Sequence, residues 1–207
     1  TIPLQRVPPR TVLTPPHVMD KLATDFVGPF ELTQSRNRYV AVVTDFCSRY
    51  LITWAARDTS ASAYAKAFYN HVICKHGTPR TLVQDNASSF TADVWKELAK
   101  LMNIDLIYTA PYHSTGNSRV ERQNRSISDL LRCMCQQNPH TWDKMLPAVT
   151  FSLNNTTSAE LKTSPHTVVF GKNLPTLVSL PPLDDNEPVP HAVHDIHETQ
   201  NKVLKMI

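Results

Sequence analysis

Two apolar, β-branched runs lie almost end to end in this chain, Tyr39 to Phe46 (YVAVVTDF) and Tyr50 to Ala55 (YLITWA), parted by a short turn at Cys47 and Ser48. Side chains of this kind suit a pleated, half-buried surface, and so short a connection joins antiparallel neighbours, which predicts a β-hairpin. A strand over residues 18 to 27 precedes it. Beyond the hairpin the pattern alternates. A helix capped by Asp58, Thr59 or Ser60 runs to about His76, where Gly77 and Pro79 stop it. Then come a strand at Thr81 to Gln84, a helix from about Ala92 to Met102, a strand at Leu106 to Thr109 and a long helix from about Asn117 to Gln136. The order βββαβαβα joins a hairpin to βαβ crossovers, so the expected fold class is α/β, a five-stranded mixed sheet flanked by helices. An RNase H-like architecture fits that order. Helices from about Thr141 to Asn155, despite Pro147, and over His191 to Ile207 complete the expectation.

A chain of 207 residues is long enough for one sizeable core. Ten of its 16 prolines flank that core: Pro3, Pro8, Pro9, Pro15 and Pro16 before it, Pro175, Pro181, Pro182, Pro188 and Pro190 after it. Proline fixes φ and donates no backbone hydrogen bond, so both flanks read as extended linkers. The expected organisation is a linker over 1–16, a core over 17–177, and a linker with a terminal helix over 178–207. No apolar run approaches the length needed to cross a bilayer, and neither a signal peptide nor a membrane partner is expected. Cys47, Cys74, Cys133 and Cys135 form no CxxC pair and read as free thiols. The net charge of +3 permits nucleic-acid binding without requiring it. Its distribution says more, because Arg119, Arg122, Arg125 and Arg132 surround Glu121 whereas Asp184, Asp185 and Glu187 make the tail acidic.

Asp25, Asp85 and Glu121 are the candidate site. Between the first two lie 59 residues, and between the last two 35. Spacing alone is weak, since roughly one acidic pair at the latter separation is expected by chance. The local context is stronger: Asp25 nears the end of the first strand, where Gly28 and Pro29 stop pairing, and Asp85 follows the fourth. The two meet if those strands are neighbours. Glu121 rides the long helix, whose apolar stripe at Val120, Ile127, Leu130, Leu131 and Met134 faces the sheet. On its polar face follow Arg125, Ser128 and Arg132, spaced to track a nucleic-acid backbone. Three carboxylates brought together repel unless cations intervene, and hard oxygen ligands suit Mg²⁺ or Mn²⁺. Two such ions about 4 Å apart can clamp an in-line phosphoryl displacement, Asp25 bridging both while Asp85 and Glu121 hold one each. Asp45 also ends an apolar strand, but its reading is structural, capping the turn through Cys47 and Ser48. Trp54, Trp95 and Trp142 read as core. His113, on the loop, has no assigned role; His191, His194 and His197 read as a solvated helix face rather than a metal site, and Cys133 and Cys135 do not converge on one ion.

TDFVGP, YVAVVTDFCSRY, HGTPRTLVQDNASSF, APYHSTGNSRVERQNRSISDLLR and FSLNNTTSAELKTSPHTVVFGKNLP occur in this order over roughly residues 17 to 177. Together they resemble the integrase catalytic core of LTR retrotransposons, especially the gypsy type, and more distantly that of retroviruses. The resemblance implies an enzyme that trims the 3′ ends of element DNA by hydrolysis and joins the new 3′-OH to target DNA, with no covalent enzyme intermediate. It places Asp25, Asp85 and Glu121 on the catalytic triad, Tyr112, Asn117 and Arg125 on element-end contacts, and Ser88 on a target-DNA contact. Arg119, Arg122 and Arg132 join the expected DNA-binding set. It further implies a dimer or tetramer, a chromatin-associated host factor as a further partner class, and action in the nucleus after a cytoplasmic particle stage. Zn²⁺ is expected only in a separate N-terminal domain. Some positions depart from the pattern: HSTGNS replaces HPQTNG, so Ser118 stands for the usual glycine and loop flexibility moves to Gly116. Ala87 stiffens the turn after Asp85, and Ser128 replaces a frequent lysine. A cut-and-paste DDE transposase or RNase H-type nuclease shares the metal site. A domesticated protein that keeps the fold for binding or assembly is the reading of a different class.

Overall fold

The structure, a computed structural model, describes residues 17–85, 87–109 and 114–172, without the side chains of 88, 89 and 114–119. The flanks 1–16 and 173–207, with the expected terminal helix, and Tyr112 and His113 lie outside the described residues. Within them, β2 (Tyr39–Asp45) and β3 (Leu51–Ala56) form the expected antiparallel hairpin, and β1 (Lys21–Val27) pairs antiparallel with β2. Then β4 (Thr81–Gln84) and β5 (Asp105–Tyr108) are added in parallel on the other side of β1. The sheet order is β3-β2-β1-β4-β5. β1 is therefore central, antiparallel to one neighbour and parallel to the other.

Helices cover both faces. Alternation along the strands sends Leu22, Val43, Ile52, Trp54 and Leu82 to one side, against Tyr64 and Phe68 of α1 (Ala61–Phe68) and Trp95 of α4 (Asp93–Leu101). Val40, Val42 and Leu51 face the other side, where α5 (Ser114–Met134) and α6 (Trp142–Asn155) supply Ile127, Leu131, Leu146 and Val149. Burying one such side chain stabilises the fold by about 1.5–3 kcal/mol. Trp54, Trp95 and Trp142 are core residues, as expected. The four cysteines are free.

Several boundaries differ from the sequence reading, each for a local reason. Ser60 holds the position before α1 without a side-chain cap bond; Asp58 Oδ1 instead accepts from Ser60 N at 2.8 Å. The helix continues through a π-helical turn (Tyr69–Ile73) into α2 (Cys74–His76) and stops at Gly77, whose φ of +88° is easy only for glycine. Two short helices escaped the reading, α3 (Ser88–Thr91) and α7 (Pro165–Phe170). The latter is capped by Ser164 Oγ, which accepts from Thr167 N at 3.2 Å. The long helix begins at Ser114 rather than Asn117, so Gly116 and Ser118 lie within it. Asp45 has its expected structural role: Oδ2 accepts from Ser48 N (2.8 Å) and Ser48 Oγ (2.6 Å), and Oδ1 from Met19 N (3.1 Å).

Candidate active site

The pairing of β1 with β4 runs from Lys21 opposite Thr81 to Ala23 opposite Val83. Every pair in that register differs by 60 in sequence number, as Asp25 and Asp85 do. The spacing of the two aspartates thus equals the register of the sheet; Asp85 lies one residue past the end of β4, Asp25 lies within β1, and the charge of Asp85 reaches Asp25. Asp25 shares its side of β1 with Ala23. That side is covered by α5: Ala23, Val83 and Val120 pack as one small cluster. Glu121 is the next residue on the helix, so the contact that seats α5 also delivers the third carboxylate to the strand ends.

Asp25 is half-buried, whereas Asp85 and Glu121 are exposed. Burial pushes the Asp25 carboxyl above its ordinary range; a hydrogen bond from Phe26 N (2.7 Å) opposes this, the charge of Asp85 adds to it, a bond from Asn124 Nδ2 to Oδ2 (2.7 Å) opposes it, and the charge of Glu121 adds to it. Both other acids therefore act on Asp25, and no lysine or arginine is among these influences. Among the described residues no group of three His, Cys, Asp or Glu is drawn together closely enough to hold an ion as it stands. The donor set nevertheless fits a hard divalent cation: three carboxylates on separate elements, two of which act by their charge on the third. Asp85 is partly anchored, its Oδ1 accepting from Ala87 N at 3.0 Å. Ala87 has φ −59°, a conformation that needs no glycine.

Residues 15–114 match the integrase core domain family. Two fission-yeast (Schizosaccharomyces pombe) proteins, the Transposon Tf2-3 and Tf2-4 polyproteins, are each 28% identical over 167 residues, covering 81% of this chain. Over residues 15–114 the chain resembles the integrase core domain. It spans only 12% of the length of the polyproteins. Among solved structures, the chain is similar to a chain of the simian T-cell lymphotropic virus intasome in complex with PP2A regulatory subunit B56 gamma (TM-score 0.65, 17% identity, 82% of this chain and 60% of that one). It is also similar to the catalytic core domain of BIV integrase (TM-score 0.60, 21% identity, 72% of this chain and 93% of that one). The fold is the RNase H-like one expected from the element order.

Asn124 is the site residue that sequence reading passed over. It lies three positions after Glu121 on α5, hence on the same helix face, and that spacing was the available signal. Its Nδ2 holds Asp25 while its Oδ1 is buried without a partner. On the far side of β1, Thr24 Oγ1 and the Tyr64 hydroxyl pair at 2.5 Å, and burial raises the Tyr64 phenol well above its ordinary range. Asn124→Ala removes one of the two bonds that favour ionised Asp25. It is expected to slow metal-dependent strand transfer by about 10–100-fold and to move the acid limb of its pH–rate profile upward. An unchanged profile contradicts the role given to Asn124.

Of the residues expected to bind DNA, Arg122, Arg125 and Arg132 are exposed on α5. Arg132 lies 3.5 Å from Asp129, an exposed pair of little strength that leaves the guanidinium available. Ser128 bonds back to Asn124 O at 3.0 Å, which leaves it short of the reach a lysine would have there. Asn117 and Arg119 lie in the first two turns of α5, and Ser88 opens α3; their side chains, and Tyr112 altogether, are outside the description.

Proposed function

We propose that the chain is the catalytic core of a retrotransposon integrase of gypsy type, acting on the 3′ ends of element DNA and joining them to target DNA. The observation that supports this most is the β1–β4 register, whose offset of 60 is also that of Asp25 and Asp85, beneath the helix that carries Glu121. These three carboxylates would hold Mg²⁺ or Mn²⁺, which when bound polarises the scissile phosphate and favours deprotonation of the attacking hydroxyl. In end processing a water oxygen bonds to phosphorus as the P–O3′ bond breaks, and the leaving 3′ oxygen takes up a proton. In strand transfer the new 3′-OH loses its proton, bonds to a target phosphorus, and the target's own 3′ oxygen leaves. Neither step attaches DNA to the protein. Asn124 keeps Asp25 turned toward the other acids, and Arg122, Arg125 and Arg132 bind the phosphate backbone in a salt-dependent way. The working assembly is a dimer or tetramer on paired ends in the nucleus, after a cytoplasmic particle stage, with a chromatin-associated host factor as a further partner.

The test is strand transfer of a preprocessed element end by the full-length protein in Mg²⁺ or Mn²⁺, beside Asp85→Asn. The expected outcome is product from the native protein and a loss of at least about a hundredfold in the variant. Equal product from both sinks the catalytic assignment.

A further inference from the structure

Gln84, the last residue of β4, is a carboxamide only 2% exposed, in a position where a polar side chain ordinarily meets solvent. Both ends of its amide are used. Oε1 accepts from Trp95 Nε1 at 3.0 Å, and Nε2 donates to Phe90 O at 3.3 Å. Phe90 O, near the end of α3 where helical carbonyls lack intrahelical partners, also accepts from the Tyr108 hydroxyl at 3.0 Å. From there the bonds return to the neighbouring aspartate. Phe90 N donates to Ala87 O at 2.9 Å, and Ala87 N donates to Asp85 Oδ1 at 3.0 Å. The result is a closed circuit, 84 to 90 to 87 to 85, around the turn that carries Asp85 away from the sheet. Strand alternation puts the Gln84 side chain on the face opposite Asp25, among Leu82, Phe90 and Trp95, so it cannot itself reach a metal or DNA.

We infer that Gln84 is a positioning residue for Asp85: by pinning α3 to the end of β4 from behind the sheet, it fixes the Asp85 carboxylate in the orientation that meets a divalent cation. This rests on the metal reading given above. Exposed Asp85 has one described anchor, the Ala87 amide, and that amide is only as fixed as α3. An apolar residue at 84 frees α3 to shift and also leaves the Trp95 N–H buried without an acceptor.

The experiment needs no DNA. Free Mn²⁺ is titrated onto the protein by electron paramagnetic resonance for the wild type, Asp85→Asn, Gln84→Met and Val149→Ala, the last a core variant in the α6 layer that serves as the stability control. Hydrogen exchange of the Ala87 amide is followed without metal. Gln84→Met is expected to raise the Mn²⁺ midpoint about tenfold and to speed exchange at Ala87, while Val149→Ala does neither. If Gln84→Met does not fold, Gln84→Asn, shorter by one methylene, is read in the same way. A midpoint and exchange rate in the Gln84 variant equal to those of Val149→Ala overturn the proposal alone. A wild type that binds Mn²⁺ no better than Asp85→Asn overturns the metal reading and this proposal together, and the first two titrations already reveal it.

Discussion

Asp25→Asn is expected to raise the melting temperature of the metal-free protein near neutral pH while lowering strand transfer at least about a hundredfold. The two effects share one cause. Burial and the charges of Asp85 and Glu121 raise the Asp25 carboxyl pKa in the folded state above its unfolded value, so the native protein binds that proton more tightly than the unfolded chain does. The stability this contributes is fully present below the unfolded pKa, about 3.9, and is lost as pH rises through the folded pKa. Near neutrality, native Asp25 is an ionised group in an unfavourable place. Asparagine removes the charge. It keeps an acceptor for Phe26 N, and rotation of the Asn124 amide turns the unpartnered Oδ1 toward the new N–H donors. The advantage of the variant should shrink as pH falls toward 4. Adding Mn²⁺ should invert the ranking, because only the native protein gains from binding it. Thermal melts with and without metal at several pH values check all of this; a variant less stable than the native protein without metal at pH 7 contradicts it.

Trp142→Ala is expected to cost about 3–5 kcal/mol, lowering the melting temperature by roughly 10 °C. Trp142 is 2% exposed, its ring lies 5.0 Å from that of Phe30, and its Nε1 donates to Glu31 O at 2.7 Å. Truncation leaves a cavity between α6 and the segment after β1 and unpairs a carbonyl. Trp142→Phe should recover part of the loss by restoring a ring against Phe30 while leaving Glu31 O without its donor. Urea melts of the two variants separate volume from hydrogen bond; equal losses would show that the indole N–H outweighs the packing.

The parts of this fold that could be read from sequence are those where composition and period agree. YVAVVTDF and YLITWA are strands by residue type, and Gly77 ends its helix at a φ that glycine tolerates. β4 was legible to the residue, bounded by Pro79 on one side and Asp85 on the other. The stripe from Val120 to Met134 showed which face of α5 meets the sheet, and therefore where Glu121 points. The short elements were not legible. Ser88–Thr91 is only one turn long, and it is held by burial of Phe90 and by the Gln84 side-chain bond to Phe90 O, neither of which local propensity encodes. Pro165–Phe170 did carry a signal, a serine cap followed by proline, which was overlooked. Gln84 and Asn124 were missed for a common reason: a buried amide is indistinguishable from an exposed one until its partners are known.

The central place of β1 also governs when the site can exist. β1, β2 and β3 are sequence neighbours whose contacts close short loops, whereas β4 reaches β1 only after a 60-residue excursion, and α5 must then return across the same strand. Of the three site acids, the locally connected half of the sheet holds only Asp25. A nascent chain that stops short of α5 contains Asp25 and Asp85 but no Glu121, so the order of the elements withholds the third carboxylate until the sheet that must control it is complete.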